Sequence, residues 1–122
     1  MKSRESMARL KRFQVEEKRR QVAQIEGMVA DFDRMSDELG MHIDAEQERT
    51  GIRDASHFAY STFARAAMAR RDNLNASSGE LRVQSDAAVA DLGVAEEELA
   101  KMEAIAERDQ RPSTSDRSDR VA

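Results

Sequence analysis

The sequence contains no cysteine, no tryptophan and a single proline, and only 4% of its residues are aromatic. Without cysteine the chain forms no disulfide bond and offers no thiolate to a metal ion. No segment approaches the roughly 18 consecutive apolar residues that span a bilayer, and the basic N-terminus lacks the apolar core of a signal peptide. We therefore expect a cytoplasmic protein.

What the sequence has in abundance is charge, at 36% of its residues, together with Ala, Glu, Arg, Gln and Met. These residue types favour helices, and helix breakers are scarce. A length of 122 residues allows one domain at most. A narrow apolar seam between long helices needs fewer large apolar side chains than a compact globular core does.

Residues 3–50 repeat their apolar side chains every seven positions, which is typical of a coiled coil. The seam is apolar from Val22 to Ile43 and weaker before that. Its two series are Ala8, Val15, Val22, Val29, Ser36 and Ile43, and, three residues further on, Lys11, Lys18, Ile25, Phe32 and Leu39.

Residues 62–110 carry a second seam, which keeps the 3-4 spacing over about six heptads. Ten of its thirteen positions are apolar, and many are small, which implies a close approach of the helices. The series are Ala64, Arg71, Ser78, Ser85, Leu92, Leu99 and Ala106, and Ala67, Leu74, Leu81, Ala88, Ala95 and Met102.

The connector between the helices spans residues 51–61. Gly51 is a candidate helix C-cap, and Asp54 or Ser61 is a candidate N-cap. A short connector between equal helices allows only an antiparallel return. The predicted fold is all-α, a long two-helix antiparallel coiled-coil hairpin over residues 1–110. We expect the polar, serine-rich residues 111–122 to form a disordered tail.

Blocks of charge support this pairing. Residues 1–20 and 52–75 are net basic, whereas 21–51 and 76–110 are net acidic. An antiparallel return lays the basic 1–20 block beside the acidic 86–109 block, and acidic 31–48 beside basic 53–71. A parallel dimer through either helix would instead stack like charges.

The residues give no constellation for catalysis, for a cofactor or for a metal ion. The five glycines are scattered, so no phosphate-binding loop is present. His42 is interpreted as a helix residue beside the seam, and His57 as a packing or capping residue of the connector. The basic run 11–20 contains Glu16 and Glu17, which argues against nucleic-acid binding.

The connector and the start of the second helical segment hold Phe58, Tyr60 and Phe63, three of the five aromatic residues of the chain. They could form a small local core that fixes the turn, or a partner-binding tip, because aromatic side chains dominate binding hot spots. The two interpretations are compatible.

Two stretches carry a family resemblance, SRESMARLKRFQVEEKRRQVAQIEGMVADFDRM at 3–35 and GIRDASHFAYSTFARAAMARRDNL at 51–74. They resemble the flagellar export protein FliJ family in its alphaproteobacterial form, over residues 3–110. The tail departs from the family, whose members continue there as charged helix. The resemblance implies a non-enzymatic, stalk-like antiparallel coiled coil of the flagellar type III export apparatus, at the cytoplasmic face of the flagellar basal body.

The partners that the resemblance implies are the flagellar export ATPase and the cytoplasmic region of the export gate, with export chaperones as a further candidate. The protein would then be peripheral to the membrane through its partners. By analogy, the gate would meet Phe58, Tyr60 and Phe63. The ATPase ring would meet the basic residues of the first helix, Arg9, Lys11, Arg12, Lys18, Arg19 and Arg20. The alternative is a generic scaffolding coiled coil, including a dimer formed by exchanging helices.

Overall fold

The computed structural model describes residues 2–110, and these form two helices joined by a short connector. Helix α1 is Lys2–Thr50 and helix α2 is Thr62–Gln110. The predicted all-α, two-helix antiparallel hairpin is confirmed. The helix bounds expected from the sequence, about 3–50 and 62–110, lie within one residue of these. The tail predicted at 111–122 lies outside the described residues.

Contacts divide the chain into two units, each of which brings part of α1 against part of α2. We call residues 2–20 with 89–110 the terminal unit, and residues 21–88 the connector unit. In the terminal unit Arg4 pairs with Asp109 and Lys18 with Asp91, so the partner number falls as the number along α1 rises. The helices are therefore antiparallel.

Both heptad seams are where the sequence places them, because every position of the four series is buried or half-buried. In the terminal unit Val15 is fully buried, with Ala95 and Ala106 among the buried residues of α2. In the connector unit the buried residues include Ile43 and Ala64. The alanines let the helices approach closely, which makes the seam narrow.

Polar groups lie inside the seam of the connector unit. The Ser36 hydroxyl donates to Asn75 Oδ1 at 2.7 Å. The Ser78 hydroxyl, in a side chain only 1% exposed, donates to Asp33 Oδ1 at 2.8 Å. Arg82 donates to the Ser78 hydroxyl at 3.0 Å and also pairs with Asp33. Within residues 2–110 no buried side-chain nitrogen or oxygen lacks a partner, so these serines weaken the seam less than their polarity suggests.

The helix ends facing the connector are capped as expected at Gly51 and Ser61. Gly51 adopts φ of 74°, and its N–H donates to the Gln47 carbonyl oxygen at 2.8 Å, as in a left-handed cap. A residue with a side chain would be strained at this φ, so the position favours glycine. The Ser61 hydroxyl accepts the Ala64 N–H at 3.2 Å, which caps α2.

Candidate partner-binding surfaces

Two lysines of the expected ATPase-binding set lie on the seam of the terminal unit. Lys11 and Lys18 are half-buried, and their ammonium groups reach Glu98 and Asp91 on α2. Their side-chain stems cover the apolar seam while the charges sit at its edge. These lysines are therefore part of the helix interface.

Two arginines of the same set close the opposite edge of the helix pair. Arg12 donates to Glu103 at 2.9 Å, and Arg19 donates to Glu96 at 3.3 Å. The hydrogen bond with Glu96, together with the charge of Glu16, raises the pKa of Arg19 above its ordinary value. Both guanidinium groups already have carboxylate partners within the chain.

Arg9 and Arg20 differ from the other four basic residues. Among residues 2–110, Arg20 pairs only with Glu17 on its own helix. Arg9 makes no ion pair with any other residue of the described chain, and its side chain is exposed. Of the six residues, these two are the most available to a partner.

The expected complementarity of charge blocks is thus found in the terminal unit. The second expected pairing of charges, of block 31–48 with block 53–71, is nearly absent: among residues 2–110 one ion pair joins these blocks, Arg53 with Glu48 at 4.0 Å. Within the described residues, Arg82 is the basic residue of α2 that pairs with an acid of this part of α1, Asp33. The reason is local: Glu46 pairs with Arg49 one helical turn away, and Arg65 donates to the Ala55 carbonyl oxygen of the connector.

Tyr60 is the aromatic residue that fixes the connector. It is 5% exposed, and its hydroxyl accepts Gln47 Nε2 at 2.8 Å and contacts Met68 Sδ at 3.3 Å. The Arg65 guanidinium lies 5.4 Å from the centre of its ring. Tyr60 therefore links the end of α1 to the start of α2.

A second link runs from the cap of α2 to α1. The Ser61 hydroxyl donates to Glu46 Oε1 at 3.1 Å, while Glu46 also pairs with Arg49. The hydrogen bond from Arg49, assisted by the one from Ser61, lowers the pKa of Glu46 below its ordinary value. One carboxylate thus joins the last turn of α1 to the first residues of α2.

The connector backbone is held by an aspartate rather than capped by it. Asp54 Oδ1 accepts the Ser56 N–H at 2.9 Å and the Ser56 hydroxyl at 2.7 Å, and the Asp54 carbonyl oxygen accepts the His57 N–H at 3.0 Å. These hydrogen bonds with Ser56 lower the pKa of Asp54. The expectation that Asp54 is a possible N-cap is wrong, because the side chain forms a turn of its own.

This turn presents Phe58 to solvent. His57 Nδ1 accepts the Ala59 N–H at 3.0 Å, and the His57 carbonyl oxygen accepts the Tyr60 N–H at 3.1 Å. The Phe58 ring stacks on the His57 ring, with 4.7 Å between centroids, yet the residue is 97% exposed. An ordered turn with an uncovered phenylalanine has the features of a binding hot spot.

The three aromatic residues predicted at the gate thus divide between the two interpretations. Tyr60 belongs to a local core, whereas Phe58 is exposed and Phe63 is 57% exposed. A partner could therefore contact Phe58 and Phe63 without disturbing the fold.

The terminal unit also exposes apolar side chains that the seam analysis passed over. Met7, Leu10 and Phe13 follow one another at three-residue spacing on α1, and each is more than half exposed. The signal in the sequence was three large apolar residues outside the heptad series within seven positions. Beside them is a groove lined by Met7, Met102, Ile105, Arg4, Arg108 and Asp109.

Other kinds of site find no support among residues 2–110. No group of three or more His, Asp or Glu residues in this range is arranged to hold a metal ion. Neither described helix has an apolar stretch long enough to cross a membrane.

Compared with family models, with curated proteins and with solved structures, the chain shows no match.

Proposed function

We propose that this chain is a non-enzymatic component of the flagellar type III export apparatus that binds the export ATPase and the export gate at the cytoplasmic face of the basal body. The observation that carries the proposal is the agreement between the hairpin of α1 and α2 and the fold implied by the FliJ-like stretches at 3–35 and 51–74. Export chaperones are further candidate partners. Contact with the membrane would be indirect, through these partners.

Within this proposal the ATPase meets the terminal unit through the basic residues that the chain leaves available. Arg9 is without an ion pair among residues 2–110, and Arg20 pairs only along its own helix. The other four, Lys11, Lys18, Arg12 and Arg19, would have to exchange a carboxylate of α2 for one of the ATPase. A partner bound chiefly through Arg9 and Arg20 leaves the helix pair intact.

The experiment is ATP hydrolysis and ring assembly by the flagellar export ATPase of the same organism, with and without this protein. We expect stimulation at micromolar concentration, and a loss of stimulation in the double variant Arg9→Glu and Arg20→Glu. Arg70→Glu is the matched control, because Arg70 is exposed, lies in the connector unit and has no ion pair among residues 2–110. Unchanged hydrolysis with no detectable binding would refute the ATPase role.

The gate contact is proposed at Phe58 and Phe63. Replacing Phe58 alone by alanine is the sharpest test, because the residue is 97% exposed and its loss should leave helicity unchanged. We expect weaker binding to the cytoplasmic region of the gate. If Phe58→Ala and Phe63→Ala together bind the gate as wild type does, the gate contact does not lie here.

The alternative of a generic scaffold is favoured by one observation, the internal pairing of five of the six basic residues that were expected to bind the ATPase. Such a chain needs no acidic partner. Mass in solution separates the forms of this alternative, since a dimer with exchanged helices doubles the mass at equal helicity. If the chain is a monomer and binds neither the ATPase nor the gate, the scaffold interpretation stands and its partner is still to be identified.

A further inference from the structure

The groove of the terminal unit has an apolar floor and charged ends. Met7 on α1 and Ile105 on α2 face each other across it, 57% and 40% exposed, with the half-buried Met102 between the helices. Leu10 and Phe13 extend the exposed apolar surface of α1 away from the groove. Apolar side chains clustered in this way form an anchor site for the apolar face of a helix.

The charge of the groove is positive. Arg4 crosses from α1 to Asp109 at 2.8 Å, so its guanidinium is fixed at the groove wall. Arg108 lines the same groove and makes no ion pair with any other residue of the described chain. Two arginines against one aspartate leave a cationic rim beside an apolar floor.

The apolar floor and the positive rim together restrict which kind of molecule can bind in the groove. Symmetric docking of a second copy through the same groove would bring two net-positive rims together, and their like charges would repel. A basic partner would meet the same repulsion. A helix with apolar residues on one face and carboxylates beside them can pack its apolar face on the groove floor and pair its carboxylates with the arginines of the rim.

We propose that the groove of Met7, Met102 and Ile105 binds an amphipathic helix of another protein, with its acidic side chains on Arg108 and Arg4. The site is separate from Arg9 and Arg20 and from the connector, so it holds whether or not the chain acts in flagellar export. Methionine suits such a site, because its flexible side chain adapts to different apolar faces.

The test uses two labelled helical peptides of about 18 residues, or five turns. Both carry leucines at helical spacing; one has glutamate at the flanking positions and the other has lysine. Fluorescence anisotropy with the full chain should show tighter binding of the glutamate peptide. The double variant Met7→Ser and Ile105→Ser should weaken that binding at least about tenfold.

Arg108→Glu supplies the sharper variant, because it changes the rim at an exposed position and should reverse the preference between the two peptides. Should the double variant lose helicity, Arg108→Glu decides alone. The matched controls are Val83→Ser, an exposed apolar residue of the connector unit, and Arg70→Glu. Neither should change binding.

Three outcomes would overturn the proposal. The peptides could bind equally well, or the controls could weaken binding as much as the groove variants do. The third is a concentration-dependent dimer in sedimentation that Met7→Ser and Ile105→Ser abolish, which would assign the groove to a second copy of this chain.

Discussion

Charged side chains bridge both edges of the helix pair in the terminal unit, whereas in the connector unit one ion pair, Asp33 with Arg82, joins α1 to α2 within the described chain. The connector unit relies instead on buried hydroxyl groups and on Tyr60. Exposed ion pairs contribute little and weaken in salt, whereas buried, fully paired polar groups are costly to disrupt.

The difference indicates how each unit meets partners. The carboxylate that pairs with Arg12 can be exchanged for one of a partner at small cost, because about half of each side chain is exposed to water. The hydrogen bonds of Tyr60 and Ser78 are buried, so a partner cannot replace them in this way. We therefore expect binding to perturb the terminal unit more than the connector unit.

Removing the Tyr60 side chain should have the largest effect. Tyr60→Ala deletes a buried ring and both contacts of its hydroxyl, and should lower the free energy of unfolding by about 3 kcal/mol. Urea unfolding followed by circular dichroism measures it. Phe58→Ala is the control and should change stability by less than about 0.5 kcal/mol. Equal effects of the two would show that Tyr60 does not hold the connector.

Breaking the buried polar network should come next. Asp33→Ala removes the acceptor of the buried Ser78 hydroxyl and the partner of Arg82, and should cost about 2 kcal/mol. The control is Asp31→Ala, because Asp31 is exposed and, within the described part of the chain, pairs only with Arg34 on its own helix at 3.3 Å. A cost of Asp33→Ala no greater than that of the control would mean that the network adds nothing to the connector unit.

Replacing a seam lysine should act in the opposite direction. Lys11→Met keeps the stem against the seam and removes the half-buried charge, so it should raise the free energy of unfolding by about 1 kcal/mol. Unfolding at low and high salt should also become more alike. Lys101→Met, at an exposed position, is the matched control. Destabilisation by Lys11→Met would show that its pair with Glu98 contributes net stability.

Acid should weaken the connector unit slightly. The pKa values of Asp54 and Glu46 are lowered in the folded protein, so their stabilisation is full above the ordinary values, 3.8 and 4.5. It is lost as the pH falls below those values and through the lowered ones. Unfolding measured from neutral pH to about pH 3 should depend less on pH in Asp54→Asn and Glu46→Gln than in wild type. Asp44→Asn, at an exposed site without an ion pair in the described chain, should leave the pH dependence unchanged.

The fold could be predicted from the sequence, because a heptad seam repeats the same apolar pattern many times along each helix. The period places Val15 and Ser78 at the interface regardless of chemistry, and both are buried. The caps at Gly51 and Ser61 could be predicted as well, since each cap depends on the residue type at one position.

The partner-binding surfaces were harder to predict from the sequence, because they depend on individual side-chain contacts. Nothing in the order of residues separates Tyr60, which is buried, from Phe58, which is exposed; the turn of Asp54 and Ser56 decides it. Likewise the sequence does not distinguish the six basic residues expected to bind the ATPase, but the structure shows that Arg9 lacks an ion pair among residues 2–110.

The link at Tyr60 has a consequence for the order of folding. Its bond to Gln47 spans 13 residues, and that of Ser61 to Glu46 spans 15, whereas Arg4 and Asp109 are 105 residues apart. Closing a short loop costs less entropy than closing a long one. Folding should therefore nucleate at the connector and proceed toward the two ends of the chain, so that Tyr60 aligns the helices before the ion pairs between α1 and α2 form in the terminal unit.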